Sequence, residues 1–275
     1  MAVASTGKSP ASTEPTEPKG ASVIVTVIQV LRCFTVDEPL QGVTEIAGKV
    51  GLHKSSVSRI LATLEKEQVV ERDTQSRKYR LGLGLLSVAG PLLADLDVRR
   101  AALPVLRELT ARTGETSALV VWSGSQAVTV EQVPSPQQIK HTTPLGTRYQ
   151  TAENASVQVF LADLSADDVH TRILGGQPTM SDTSPVAMEA LRAELQQVAS
   201  RGYAVNYGLT SADEVGVASP VCDHRGEVVA AVLIAAPSYR VDRADVGGLG
   251  QQALDAATEI SRRLGSTGTP QLRRA

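Results

Sequence analysis

Apolar residues recur at helical spacing in two short neighbouring segments, Ile46/Ala47/Val50 and Val57/Ile60/Leu61/Leu64, with Gly51 and Leu52 between them. This is the pattern of a helix-turn-helix. Thr44 is placed to cap the first helix, and Gly51 sits where the chain must turn through a left-handed conformation. The second helix is expected to start near Lys54 or Ser55. Its apolar stripe leaves Lys54, Ser55, Ser56, Ser58, Arg59 and Thr63 to a partner. After Glu67 the period changes from helical to alternating. Val69/Val70 and Tyr79/Leu81 predict two strands of a hairpin with a polar tip at Asp73 to Ser76 and a basic surround of Arg72, Arg77, Lys78 and Arg80.

Upstream, Val23 to Thr35 has helical length, with Val27, Val30, Leu31 and Phe34 on one face and Val23, Val25 and Ile28 widening it. It reads as a supporting helix in which Cys33 is a small core residue. Met1 to Gly20 is rich in Ser, Thr, Pro, Ala and Glu without apolar period and is expected to be disordered. Downstream, Gly82 to Leu96 is apolar at helical spacing with Gly90-Pro91 interrupting it. Val98 to Arg112 is a second amphipathic helix, on which Arg99 and Arg100 make a solvated face.

From about Gly114 the pattern is strand, hairpin, helices, strands, helix. Ser117 to Trp122 and Ala127 to Val133 pair across Ser123 to Gln126. Helices are expected at Asn154 to Leu164, Ala166 to Leu174 and Val186 to Arg201, and strands at Tyr203 to Tyr207, Gly216 to Cys222 and Glu227 to Ala235. A last helix spans Asp242 to Leu264. The class is α+β with a largely antiparallel sheet. The expected division is a disordered segment at 1–20, a winged helix-turn-helix at 21–82, linker and dimerisation helices at 83–113, an effector-binding domain at 114–265, and a flexible tail at 266–275.

Composition narrows the function classes. The longest apolar runs, such as Val228 to Ala236, fall short of the ~18 residues that a membrane span requires, and no signal-peptide core is present, so a cytoplasmic protein is expected. Cys33 and Cys222 are the only cysteines, which excludes a disulfide framework or multi-cysteine zinc site. The net charge of −2 argues against nucleic acid until its distribution is considered. Ala21 to Leu81 carries nine Lys/Arg against seven Asp/Glu, and the chain from Gly82 onward carries sixteen against twenty. The positive part is therefore the helix-turn-helix part.

The chemistry implied is recognition. Hydroxyl and cationic side chains near a helix start suit base edges and phosphates, and a basic hairpin beside them suits the backbone or minor groove. The expected DNA-contacting set is Thr44, His53, Lys54, Ser55, Ser56, Ser58, Arg59, Arg72, Arg77 and Lys78. An alternative is that the winged helix serves ligand sensing or binds protein without an operator. Catalysis is not expected: Cys222 and His224 share a strand face without the third, orienting group that a nucleophilic site needs. Cys222, His224 and His141 do not supply a four-ligand zinc site, and no metal or cofactor is expected. The glycine pairs Gly82/Gly84 and Gly247/Gly248 lack the strand-turn-helix setting of a nucleotide loop.

The sequence resembles the IclR family of bacterial transcriptional regulators. The pieces that carry the resemblance are EIAGKVGLHKSSVSRILATLEKEQVVERD, YRLGLGLLSVAG, LGTR at Leu145 to Arg148, RGYAVN at Arg201 to Asn206, and GVASPVCDHRGEVVAAVLIAAP at Gly216 to Pro237. It implies a homodimer, often a dimer of dimers, that binds operator DNA, commonly as a repressor. A small organic effector would alter that binding from a GAF-like C-terminal domain. By this resemblance Ala155 and Ser156 occupy the positions whose backbone N–H groups meet the effector. Asn206 stands where the family is often acidic, Gly216 where it often has Cys or Ser, and Leu233 and Ala235 where it often has Ser. Together with His141 these form the expected effector set. The chain departs from the family's Gly-Lys-Ala at the helix start, where it has Asn154 to Val159, so an aromatic or mainly apolar ligand with at least one polar oxygen is expected. The opposing expectation is that Leu233 and Val157 fill the space themselves.

Overall fold

The computed structural model describes residues 19–35, 37–95, 97–267 and 272, without the side chains of residues 19–22 and 90–97. The chain forms two compact units that divide between Ala94 and Asp95. The first contains α1 (Lys19–Leu31), α2 (Val43–Val50), α3 (Lys54–Lys66), the hairpin β1 (Val70–Arg72) and β2 (Tyr79–Leu81), and α4 (Gly84–Asp95). The second contains α5 (Asp97–Thr113), β3 (Thr116–Trp122), β4 (Ala127–Val133), β5 (Arg148–Tyr149), α6 (Ala155–Leu161), α7 (Ala166–Leu174), α8 (Pro185–Arg201), β6 (Ala204–Tyr207), β7 (Glu214–Cys222), β8 (Val228–Pro237) and α9 (Val246–Arg263).

The first unit closes over Val30, Phe34, Ile46, Val57, Leu61, Val70 and Tyr79, so the apolar periods of three helices and the hairpin meet in one core. Cys33 is buried in that core, as its neighbours in sequence predict. Two expectations are corrected here. Thr44 is not the cap: Gly42 is, and Glu45 reaches back to accept a hydrogen bond from the Gly42 N–H at 2.7 Å. The helix starts two residues earlier than one capped by Thr44 would, and Gln41 just before the Gly42 cap is held by paired backbone bonds to Tyr79. Of the segment expected to be disordered, Lys19 and Gly20 belong to α1, and residues 1–18 lie outside the described residues.

Gly51 has φ of +68° and ends α2 in the left-handed conformation expected of it. Gly82 and Gly84 have a different reason. A Cβ on them would stand 2.3 Å and 2.6 Å from the Gln68 carbonyl oxygen, so only glycine lets the chain leave the hairpin past that peptide.

In the second unit a six-stranded sheet runs in the order β5-β4-β3-β8-β7-β6, with every neighbouring pair antiparallel. α5 and α9 cover one face, through Val105, Leu106, Leu109, Ala253, Ala257 and Ile260. α6, α7 and α8 cover the other, through Val157, Phe160, Ile173, Leu191 and Val198. α5, expected among the linker and dimerisation helices at 83–113, packs as a layer of the second unit. Its Thr110 hydroxyl meets that of Ser117 at 2.7 Å inside the core, and Ser117 donates to the Leu106 carbonyl at 2.9 Å. Arg99 is also not merely solvated, since its Nε donates to the largely buried Glu131 carboxylate at 2.9 Å. α4 is helical through Gly90 and Pro91, where an interruption was expected. In the expected tail Leu272 is buried, and residues 268–271 and 273–275 lie outside the described residues. Among the described residues no helix is long and apolar enough to cross a membrane.

Candidate nucleic-acid interface and effector site

α3 presents the candidate DNA face. His53 caps it: Nδ1 accepts from the Ser55 N–H at 3.3 Å and lies 2.8 Å from the Ser55 hydroxyl. With Nδ1 accepting, the ring proton is on Nε2, which leaves a donor for an anionic oxygen. Val57 and Leu61 are fully buried, which turns Lys54, Ser55, Ser56, Ser58 and Arg59 outward, all exposed. Thr44 on α2 is exposed as well.

The cations of the hairpin divide into two kinds. Lys78 donates to Glu45 at 2.7 Å and Arg80 to Glu71 at 3.1 Å, so both already hold carboxylates. Arg72 lies over the Tyr79 ring at 5.7 Å, and Arg77 stands at the tip with φ of +59°. Arg72, Arg77, Lys54 and Arg59 have no ion-pair partner among the described residues. Glu45 is therefore a hinge pin between α2 and the hairpin. The Lys78 ammonium first, then the Gly42 N–H, hold its carboxyl below the usual carboxylate range. Asp73 shapes the tip by accepting from both the N–H and hydroxyl of Ser76 at 2.7 Å.

The expected effector residues do converge on the face of the sheet beneath α6. Asn206 pairs with Gly216 and Gly216 with Ala235 across three adjacent strands. A Cβ on Gly216 would lie 3.7 Å from Leu233, 3.8 Å from the Asn206 Cβ and 3.9 Å from the Ala155 Cβ. These are ordinary contacts, so Leu233 and Ala155 already fill the space next to Gly216. That spot favours the self-filled expectation.

Two polar groups expected to meet the effector already have partners within the chain. The Ser156 N–H is taken by the Asn154 side chain at 2.9 Å, because Asn154 caps α6. The Asn206 carboxamide is taken at both ends, its oxygen by the Leu209 N–H at 2.9 Å and its nitrogen by the Thr210 hydroxyl. It stabilises the β6–β7 turn, as Asn does after a strand. His141 is tied through Nε2 to the Asp213 carbonyl at 2.9 Å, while its own carbonyl accepts from Thr116 at 2.6 Å.

The face also carries buried hydroxyls: the Ser156 Oγ has no hydrogen-bond partner among the described residues, and the Thr129 and Thr143 hydroxyls lie beside that of Tyr149. Thr129 lies two residues from Ala127 and so shares its face of the sheet, the one covered by α6, α7 and α8, and the Tyr149 ring packs against the same core. Burial pushes the Tyr149 phenol up to about 12, opposed by the neighbouring Thr129 and Thr143 hydroxyls and reinforced by the Glu214 carboxylate. A hydroxyl without a partner in a native interior is uncommon, which singles out that of Ser156. Period-2 alternation alone would have placed Thr129 inside. Nothing local in the sequence marks Tyr149, which lies on a two-residue strand.

Comparison with known proteins decides the family. Residues 24–74 match the IclR helix-turn-helix domain, and residues 91–262, more than half of the chain, match the bacterial transcriptional regulator IclR C-terminal domain. The chain belongs to the IclR family. The IclR-type regulator is 28% identical to the HTH-type transcriptional repressor AllR of Escherichia coli K12 over 262 residues, 95% of this chain and 97% of that one. It is 50% identical to a solved domain of another IclR-family regulator, with a TM-score of 0.60 over 62% of this chain and 98% of that one. It also shares the fold of an IclR homologue from Microbacterium hydrocarbonoxydans complexed with 4-hydroxybenzoate, at 23% identity and a TM-score of 0.70, over 88% and 98% of the two chains. In this IclR-type regulator the helix-turn-helix and the effector domain thus occur together, in the order read from the sequence.

Proposed function

We propose that this regulator binds a near-palindromic operator as a homodimer, acts as a repressor, and changes its operator affinity when a small hydroxylated aromatic molecule enters beneath α6. The observation that carries the DNA reading is the outward face of α3, where Lys54 and Arg59 stand exposed and unpaired while Lys78 and Arg80 nearby are held by acids. Unpaired cations at a helix start beside hydroxyls suit a major groove, with Arg72, Arg77 and the His53 Nε2 available to phosphates. Half-sites would lie about one helical turn, ~10 bp, apart.

Homodimer formation is supported by apolar side chains left exposed on the first unit, Val23, Ile24 and Val25 on α1 and Leu83, Leu86 and Val88 near and on α4. Repression is supported by the likeness to AllR. For the effector, the buried hydroxyls of Thr129, Thr143, Tyr149 and Ser156 and the apolar Leu233 and Ala235 favour a largely apolar ligand that exchanges hydrogen bonds with hydroxyls. The negative charge of Glu214, which acts on the phenol, disfavours a short carboxylate there. The relative that carries 4-hydroxybenzoate is consistent with a phenolic ligand.

Selection of bound oligonucleotides followed by mobility shifts at several salt concentrations tests the DNA reading. Operator affinity should fall steeply with salt, with a log-log slope of about −0.9 per phosphate neutralised; a flat response removes the operator and leaves a protein-interaction module. Calorimetric titration with phenols, aromatic acids, glyoxylate and pyruvate tests the effector. Phenols should bind and shift operator affinity, with equal coupling in the reverse direction. Tight binding of glyoxylate or pyruvate with no binding of any aromatic sinks the effector assignment.

A further inference from the structure

A second cavity of about 530 Å³ opens between α8 and β6, lined by side chains that the effector site does not use. Its volume falls within the range of small-molecule sites. The apolar part of its wall includes Leu191 and Leu209, and Gln158 of α6 contributes a carboxamide. Gln158 is 3% exposed, and its Oε1 is buried with no partner among the described residues. Turning the terminal amide end for end exchanges an orphaned oxygen for an orphaned N–H, so one end lacks a partner in either setting. Leaving it so costs free energy that a bound polar group would recover.

Charge selects the class of that group. Glu153 and Asp182 line the cavity, and neither has an ion-pair partner among the described residues. Their oxygens accept only from Ser181 and Ser184, which are neutral. Of the two arginines present, Arg201 is committed to Glu194 at 2.7 Å and to the Tyr203 carbonyl at 2.6 Å. Arg243 is stacked on the Tyr207 ring at 4.2 Å. Glu153, Asp182 and Glu194 stand against Arg201 and Arg243, so the cavity carries a net charge of −1, and its buried carboxamide can turn an acceptor inward.

We propose that this cavity is a second ligand site, separate from the face beneath α6, that takes a primary ammonium carried on an apolar body. The ammonium donates to Gln158 Oε1 and to the Glu153 or Asp182 carboxylate, and the body lies on Leu191 and Leu209. A three-donor cation suits a carboxamide oxygen and a carboxylate at once.

Calorimetric titration of the full-length protein with benzylammonium, and with benzyl alcohol as its neutral counterpart, tests the assignment. Benzylammonium should bind the wild-type protein, benzyl alcohol at least tenfold more weakly, and the difference should shrink as salt rises. Gln158→Leu should weaken benzylammonium about tenfold or more, the loss expected of one charge-assisted hydrogen bond. The paired change Glu153→Gln with Asp182→Asn, which touches only the rim, should do the same while phenol binding and operator binding stay as they are. Absence of benzylammonium binding at millimolar concentration overturns the proposal. So does binding that both variants leave unchanged, or equal affinity for the alcohol. Because phenol binding is read in the same proteins, failure of the α6 effector site and failure of this cavity give different results.

Discussion

The start of α3 and the face of the sheet beneath α6 are both candidate binding surfaces, and they are built in opposite ways. At α3 the side chains offered to a partner have no part in the core: Val57 and Leu61 hold the helix, and Lys54, Ser58 and Arg59 are free on the other side. Beneath α6 the candidates other than His141 and Tyr149 are buried, and the fold competes for their polar atoms. It has taken the Asn206 carboxamide for a turn and the Ser156 N–H for a cap. An exposed polar group stays available because water is its only rival. A buried one is nearly always satisfied internally, so those left unpaired identify a site better than those that a family pattern nominates.

The largest effect should come from the exposed surface. Replacing Lys54 and Arg59 together by Ala should lower operator affinity by about 100-fold, since one bidentate base contact alone accounts for about 1–3 kcal/mol. The thermal midpoint should not move, and mobility shifts with calorimetry in parallel check both halves. Unchanged affinity in the double variant removes α3 from the DNA.

Gly82→Ala should act in the reverse manner. Its Cβ meets the Gln68 carbonyl at 2.3 Å, so about 2 kcal/mol of stability should be lost from the first unit, within the range for overpacking. Operator binding should weaken only as far as that unit unfolds, as denaturant titration with and without DNA would reveal.

Asn206→Leu comes next and tests the internal pairing beneath α6. It orphans the Leu209 N–H and should cost about 1–2 kcal/mol. Affinity for phenols should change by less than a factor of about ten, that is by less than 1.4 kcal/mol. A total loss of ligand binding in a folded protein would return Asn206 to the effector site.

The smallest effect is one of pH. The folded carboxyl of Glu45 lies below its unfolded value of about 4.3. Its contribution is therefore present above that value and is lost as pH falls through the folded one. Thermal midpoints of wild type and Glu45→Gln should differ above about pH 5 and converge as the medium becomes more acid. A difference that ignores pH would mean that the Lys78 pair does not form in solution.

The sequence made the first unit legible because each of its elements buries a one-sided apolar pattern. Gly51 punctuates the turn where it should, and the hairpin alternates as a hairpin must. The second unit was legible in its order of elements but not in its layers. The amphipathic pattern of α5 says that one face is buried and cannot say against what; that it packs on β3, β4 and α9 follows only from the fold. The effector face was half legible. Asn206, Gly216, Leu233 and Ala155 do meet, but whether a polar atom on that face is spent depends on local turn and cap geometry. The hydroxyls of Thr129 and Tyr149 come together only because β5 pairs with β4 across a loop that has no period of its own.

The backbone of Gln68 has a mechanical consequence. The Gln68 N–H donates to Glu65 at the end of α3, and its carbonyl accepts from Gly84 at the start of α4, both at 3.0 Å. α3, the candidate DNA-facing helix, and α4 are thus hung from the two peptide groups that flank a single Cα, that of Gln68, whose φ is +58°. A displacement at the start of α4 reaches the end of α3 through the two backbone dihedrals of that one residue, without having to travel around the hairpin.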